Sequence, residues 1–516
     1  MHWEKYAGKR TDEYEIVPSL RDVKYRLIWA LVSLVIAISA AAAAHAQNFK
    51  NVSFDQMCAT SSTGFCGWDL SWGEKANVHQ DRLGAGTALA LRGEAHGDVV
   101  FLEQTAKIAP LTGPAVFTLS GMIAADAIEG KGAGLNINLY DTDGKFMVFK
   151  DMGGVYSLDW ITGTRAARTY SIAIVCPAGT AEVRIGAILY GKGTARFGNL
   201  SGSLMPIASR RPSKLATRYI TNAAEIISKN SLVRDSFNKT EMTHMALKIA
   251  GDAKTYADCY LAVSYLLESL REYGDYHSFF MKSGEVQTWK TSGSVVSRIE
   301  YPTHKVVDGV GYISVPSFHG GNPKTMLAYA DTLQAAIRDL DSVGVKGWVV
   351  DLRSNTGGNM EPMIAGLGPL FSSTKLGALV DVNKKSDAWY YKSGRYYGDD
   401  YKGWSVTSPV TLRTQLPIAV LTSSGVGSSG EIVVISFLGN AKTRLFGQPT
   451  MGLTTGNGSF DLADGAKMFL ASTVMVDRTG KVYRGSIKPD VEFDKLTVDG
   501  RDVVLNKAIE WIASQP

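Results

Sequence analysis

Cysteine is scarce. The 516 residues contain four, Cys58, Cys66, Cys176 and Cys259, too few for a disulfide scaffold to stand in for a hydrophobic core. Cys58 and Cys66 are close enough in sequence to bridge a local loop in an oxidising compartment. Cys176 and Cys259 fall in strand-like and helix-like apolar patterns and read as buried thiols. No CxxC pair and no HExxH occurs, so a zinc site has no support, and neither metal nor cofactor is expected. Lysine and arginine form no stripe with interleaved aromatics, and the net charge is only +5. Nucleic acid is therefore not an expected partner. Nor is the composition that of a disordered chain, since 45% of residues are apolar and 20% charged.

Long apolar runs are also rare. The one that stands out, Leu27 to Ala44, follows a basic cluster (Arg21, Lys24, Arg26) and leads into Ala44-His45-Ala46. Residues 1–46 have the layout of a secretory signal peptide cleaved after Ala46. The same run, at about 18–20 residues, also suits an uncleaved membrane anchor. Both readings put the bulk of the chain outside the cytoplasm, in the periplasm or secreted.

A chain of this length calls for two or three domains. Residues 47–206 alternate in short runs (Val99–Leu102, Ala115–Ser120, Gly134–Tyr140, Tyr170–Val175, Glu182–Leu189) separated by Gly, Asp and Thr clusters. That predicts a β-sandwich or jelly roll. With its closing edge Gly193-Thr194-Ala195-Arg196-Phe197-Gly198-Asn199, the segment resembles the jelly-roll modules attached to secreted enzymes. The resemblance implies a carbohydrate or cell-envelope ligand, with Trp68, Trp72 or Trp160 as stacking surfaces; the alternatives are core packing and a spacer role. Residues 213–300 read as a small helical domain, with apolar spacing of three and four over Leu215–Ser228, Lys239–Ile249 and Tyr256–Tyr273. It ends in a turn that sets His277 among aromatics. Residues 301–516 alternate strand and helix, which implies a mainly parallel sheet with helices outside.

The segment Leu416–Gly439 reads as an apolar strand, a turn of small residues (422–430) and a helix stopped by Gly439. A serine in such a turn is presented where helix N–H groups can meet a developing oxyanion. Ser428 is the candidate nucleophile; a serine-rich helix cap is the competing reading. A second glycine loop, 353–359, falls at another strand end, where ligand chemistry gathers in such sheets.

Gly311-Tyr312-Ile313, the run Val350-Asp351-Leu352-Arg353-Ser354-Asn355-Thr356-Gly357-Gly358, Ser428-Ser429-Gly430-Glu431, Leu462-Ala463-Asp464-Gly465 and Ile487-Lys488-Pro489-Asp490-Val491 occur in that order. Together with Gly274-Asp275-Tyr276-His277-Ser278 they resemble the landmarks of the tail-specific (C-terminal processing) and tricorn-core serine peptidases, over about residues 215–495. The resemblance implies a crotonase-like α/β core and hydrolysis of peptide or protein substrates through a serine. The processing branch carries a lysine base 25 residues after the serine, in a Thr-x-Gly-Lys turn. Here Thr450-Met451-Gly452 is followed by Leu453. No PDZ-like domain fits between His277 and Tyr312. The chain is thus similar to the histidine-using branch, although Tyr276 stands where that branch has a serine before the histidine. The orienting glutamate near the Pro-Asp turn has no match in Val482-Tyr483-Arg484-Gly485.

A serine hydroxyl needs a positioned base, and histidine has the right pKa. His244 falls in a helix and His304 in a strand-like lead. His277 is the candidate base, with Asp275 and Ser278 to fix its tautomer. His319, in Ser317-Phe318-His319-Gly320-Gly321, is the runner-up, and a purely structural His277 is the remaining alternative. The oxyanion donors are expected to be the N–H of Ser429 and that of Gly357 or Gly358. Glu431 orients the site or serves only as a first-turn acid, and Asp351 and Arg353 read as a brace for the loop. The function that follows is an exported serine peptidase acting through Ser428 and His277. The alternative is a catalytically inactive peptide- or glycan-binding protein on a peptidase-like core, which the missing lysine motivates.

Overall fold

The computed structural model describes residues 49–95, 98–153, 159–207, 210–292 and 299–515. The expected signal or anchor segment lies outside them. No helix among the described residues is long and apolar enough to cross a membrane.

The N-terminal β region forms one eight-stranded antiparallel sheet. Its strands are longer than the sequence pattern suggests: Ala115–Tyr140 and Glu182–Pro206 run for 26 and 25 residues. The Gly and Asp clusters that read as strand ends are bulges. Register shifts between Asp126 and Glu129 and between Glu129 and Gly132, where Ala127, Gly130 and Gly132 take positive φ. A bulge bends and twists a strand without ending its pairing. Hydrogen bonding is therefore continuous where a sandwich would have two separate sheets. Alternate residues (Leu119, Leu135, Ile137, Ile185, Ala187, Phe197) share a single core. Cys58 and Cys66 are disulfide-bonded, with their Cα atoms 4.9 Å apart, and Cys176 and Cys259 are buried thiols.

Helices Lys214–Asn230, Lys239–Ala250 and Tyr260–Glu268 follow. Ser213 and Asn238 cap the first two, their side chains accepting the N–H of Ala216 and Glu241. The apolar stripe Ala216, Ile220, Ala223 and Ile227 does not close on helices alone. Its cluster includes Leu462, Ala466, Met468 and Leu470 from the far end of the chain. The hydroxyls of Tyr219 and Tyr260 both donate to Asp464, at 2.8 and 2.6 Å, which explains the Leu-Ala-Asp-Gly landmark as a docking turn. Beyond Gly274 the strand Phe279–Met281 pairs with Lys467–Phe469, holding His277 against the core.

The core contains a six-stranded sheet in the order Thr303–Val307, Val310–Ser314, Trp348–Asp351, Ile418–Thr422, Thr443–Gly447, Val491–Glu492. All pairs but the first are parallel. Strands Trp348–Asp351 and Ile418–Thr422 are buried throughout, as parallel strands covered on both faces require. Helices Pro323–Ser342, Met360–Leu367 and Ser429–Phe437 supply one cluster, and Val503–Ala513 the other. The tyrosine-rich meander joins a second, eight-stranded sheet with Thr455–Asp461 and Lys467–Asp477. Asp351 and Leu421 are register partners, so the loops that follow them emerge side by side.

Candidate active site

Ser428 stands at φ 51°, ψ −118°, in front of the helix Ser429–Phe437. Such a backbone costs a non-glycine residue about 1–3 kcal/mol and persists only where its surroundings enforce it. Glu431 is the enforcing group. Its fully buried carboxylate accepts the N–H of Ser428 (2.9 Å), the hydroxyl of Thr450 (2.5 Å) and the N–H of Gly452 (2.9 Å). Burial pushes its pKa up while these bonds pull it down. Thr450 in turn accepts the N–H of Ile487 at 2.8 Å, and Asp490 accepts that of Leu445 at 2.8 Å. The Ile-Lys-Pro-Asp landmark thus braces the serine turn from behind.

The second loop lies directly over the first. A Cβ on Gly357 (φ 109°) would come 2.9 Å from the Ser428 Cβ and 3.1 Å from the Ser429 nitrogen. One on Gly358 (φ 110°) would meet the Phe318 carbonyl oxygen at 2.2 Å. Only glycine fits both places. The Ser429 hydroxyl donates to the Gly358 carbonyl at 2.7 Å. Asp351 and Arg353 form an ion pair at 2.6 Å that extends to Asp502 (2.7 Å) and the Tyr312 hydroxyl (2.7 Å). They brace this loop.

The expected oxyanion donors differ in availability. The N–H of Gly357 donates to the Asn355 side chain at 3.0 Å. The N–H groups of Gly358 and Ser429 have no acceptor among the described residues. Sequence could not separate the two glycines, because the distinction depends on where the Asn355 amide turns.

The Nδ1 of His277 lies 2.8 Å from the Thr455 hydroxyl. Burial lowers its pKa to about 4, opposed by the charge of Asp275. Asp275 and Ser278 do not orient the ring as expected. Asp275 instead accepts the backbone N–H groups of His277 and Ser278 (3.0 Å each) and the Ser278 hydroxyl (2.6 Å). This is the turn-capping role open to an aspartate at such a position. Thr455 takes the orienting place, and the Asn457 amide donates to the His277 carbonyl at 3.0 Å. Sequence reading missed both, because Thr454-Thr455-Gly456-Asn457-Gly458-Ser459 carries no apolar alternation to mark it as a strand.

His277 and Ser428 share no hydrogen bond. They meet through one segment: Met451 donates to the Val426 carbonyl at 2.7 Å, Leu453 abuts Gly427, and Thr455 holds the imidazole. The Leu453 methyl lies 3.6 Å from the Gly427 Cβ position, so an apolar group occupies the neighbourhood where a lysine base was sought. His319 has its Nδ1 2.9 Å from the Gly358 Cβ position, and burial lowers its pKa to about 4. His244 lies inside a helix and His304 pairs with Asp339 at the surface. Of the three tryptophans considered for sugar stacking, Trp68 and Trp160 are buried and Trp72 is 67% exposed. Trp160 fills the space that Gly134 and Gly153 leave. No cluster of metal-ligating side chains occurs among the described residues.

A strained serine thus stands before a helix with a glycine turn above it, and the half-buried imidazole of His277 is tied to the same strand segment through Thr455. Residues 309–493 match the family described as Peptidase family S41. The nisin-resistance protein of Lactococcus lactis subsp. lactis is 27% identical over 301 residues, 58% of this chain and 87% of that protein. The carboxy-terminal processing protease CtpA of Bacillus subtilis (strain 168) is 27% identical over 187 residues, 36% of this chain and 35% of that one. The chain therefore spans about a third of CtpA's length. A lipoprotein structure from Streptococcus agalactiae superposes with a TM-score of 0.49 at 25% identity, covering 58% of this chain and 97% of that one. The chain carries a peptidase domain of the tail-specific S41 family.

Proposed function

We propose that this chain is an exported serine peptidase that cleaves peptides or proteins through an acyl-enzyme on Ser428, with His277 as general base. The observation that carries the reading is the Gly357–Gly358 turn lying over a serine held in left-handed backbone. With Nδ1–H donating to Thr455, the His277 Nε2 lone pair is free to take the Ser428 proton as Oγ attacks the scissile carbonyl. The resulting oxyanion is met by the N–H groups of Ser429 and Gly358. His277 then passes that proton to the leaving amine, and the C–N bond breaks. Water repeats the sequence on the ester, regenerating Ser428. Apo catalytic hydrogen bonds are often open and tighten with substrate, which accounts for the unlinked His277 and Ser428. The core reads as crotonase-like, and nisin resistance, for which the Lactococcus relative is named, is one use for such an activity. Export is supported by the 1–46 segment and the Cys58–Cys66 disulfide.

The test is labelling with a fluorophosphonate probe. The wild type should label, and Ser428→Ala and His277→Ala should not. Unlabelled wild type would overturn the reading in favour of an inactive binding protein, the alternative that Leu453 supports.

A further inference from the structure

A groove of about 360 Å³ lies against the sheet that anchors His277. One of its walls is a row of valines, Val380, Val474, Val476 and Val482. Val474 is the register partner of Val380, and Val476 that of Val482. Antiparallel partners, and residues two apart on one strand, point to the same side of a sheet, so the four valines share a face. Thr455 shares it too, because it is the register partner of Val474 on the other flank of that strand. The hydroxyl that lies 2.8 Å from the His277 Nδ1 therefore stands at the end of the valine row, one strand spacing, about 4.8 Å, from Val474.

The opposite wall comes from the helical region, through Leu232 and Arg234. The two walls are fixed to each other. The Leu232 N–H donates to the Ala471 carbonyl at 3.0 Å, and the Arg234 guanidinium donates to the Asn383 side chain at 3.4 Å. Arg484 also lines the groove. Next to it, the Gly485 N–H donates to the Thr454 hydroxyl at 2.9 Å, and the Gly485 carbonyl accepts from that hydroxyl at 3.0 Å. One residue further, the Ser486 nitrogen lies 3.0 Å from the Cβ position of Gly452, whose N–H goes to Glu431. The segment 450–455 thus joins the groove both to the imidazole and to the serine turn.

Among the described residues the valine face stays open: Val482 is 49% exposed, and Val380 and Val476 are half-buried. Asp235, Lys384 and Arg484 lie exposed at the rim with charges of both signs, so the apolar floor decides what fits. An apolar side chain settling on it loses contact with water, and walls already tied together need no further ordering.

We propose that this groove is a specificity subsite that takes an apolar side chain of the peptide being cleaved, about two to four residues from the scissile bond. An extended chain advances about 3.4 Å per residue, and the valine row covers about one to two strand spacings beyond Thr455, which sets that distance. The proposal rests on the peptidase reading of Ser428.

The experiment is cleavage of a peptide series by the full native chain, with the cleaved bond located by mass spectrometry. Each of the four positions on either side of that bond carries valine, alanine or glutamate in turn, and kcat/KM is measured. Valine should exceed alanine by at least about tenfold at one position two to four residues away, and that position shows which side of the bond the groove serves. In Val482→Lys glutamate should overtake valine at the same position, and in Val482→Thr the preference for valine should shrink. Val482 is the most exposed of the row, and melting temperatures confirm that both variants fold. The absence of any such position, or a valine preference unchanged in both variants, overturns the proposal. Fluorophosphonate labelling of the native chain separates the two failures. Labelling without a positional preference removes the groove alone, and no labelling removes both.

Discussion

Replacing Thr455 with valine isolates the link between the helical region and the chemistry. The Thr455 hydroxyl is the hydrogen-bond partner of His277 Nδ1, at 2.8 Å. The imidazole is half-buried, and desolvation lowers its pKa to about 4. Valine keeps the shape and the strand pairing with Val474, and suits a strand at least as well as threonine. The lost bond leaves Nδ1 without its partner, at a cost of about 1–3 kcal/mol. Part of that cost is avoided if the proton moves to Nε2 or the ring turns, and either change removes the base. At about 1.4 kcal/mol per tenfold in rate, kcat should fall about 10–100-fold with KM little changed. Thr455→Ser, which restores the hydroxyl, should recover most of the rate. The assay is peptide cleavage with separate kcat and KM, alongside the second-order rate of fluorophosphonate labelling. A Thr455→Val enzyme with wild-type kcat would refute the assignment of His277 as a base oriented through Nδ1.

Other consequences follow from the same geometry. Glu431→Gln leaves an amide nitrogen facing at least one of the donors that converge on the carboxylate; urea denaturation should show a loss of about 2–3 kcal/mol, and labelling should slow. The His277 imidazole titrates near 4 in the folded chain against 6.5 for the free group. The unfolded chain therefore binds the extra proton first, and stability from this group rises with pH between 4 and 6.5 and is flat above. The acid limb of kcat/KM should have its midpoint near 4, and a midpoint above 6 would count against His277. Gly357→Ala places a methyl 2.9 Å from the Ser428 Cβ at φ 109°; labelling should be lost from a chain that still elutes as folded protein.

Much of the core was legible because its signals are local. An apolar run long enough for a buried strand, a small-residue turn and a helix with an acid in its first turn announce themselves within about ten residues. That is why Ile418–Thr422 and Ser429–Phe437 lie close to where the pattern put them. Glycine demand was legible too, since Gly357 and Gly358 both take positive φ. The β region was less so. A glycine cluster looks the same whether it ends a strand or bulges it, and the neighbouring strand decides.

What the chain order alone determined is the set of chemical groups available: one serine turn, one glycine turn, a few histidines and no lysine at 453. Which groups act together was left to the fold. Thr455 reaches His277 across 178 residues, and Asn355 takes the Gly357 N–H and spares that of Gly358. Hydrogen bonds act over about 3 Å, and no periodicity in a sequence reports which distant atoms chain topology will bring within that range.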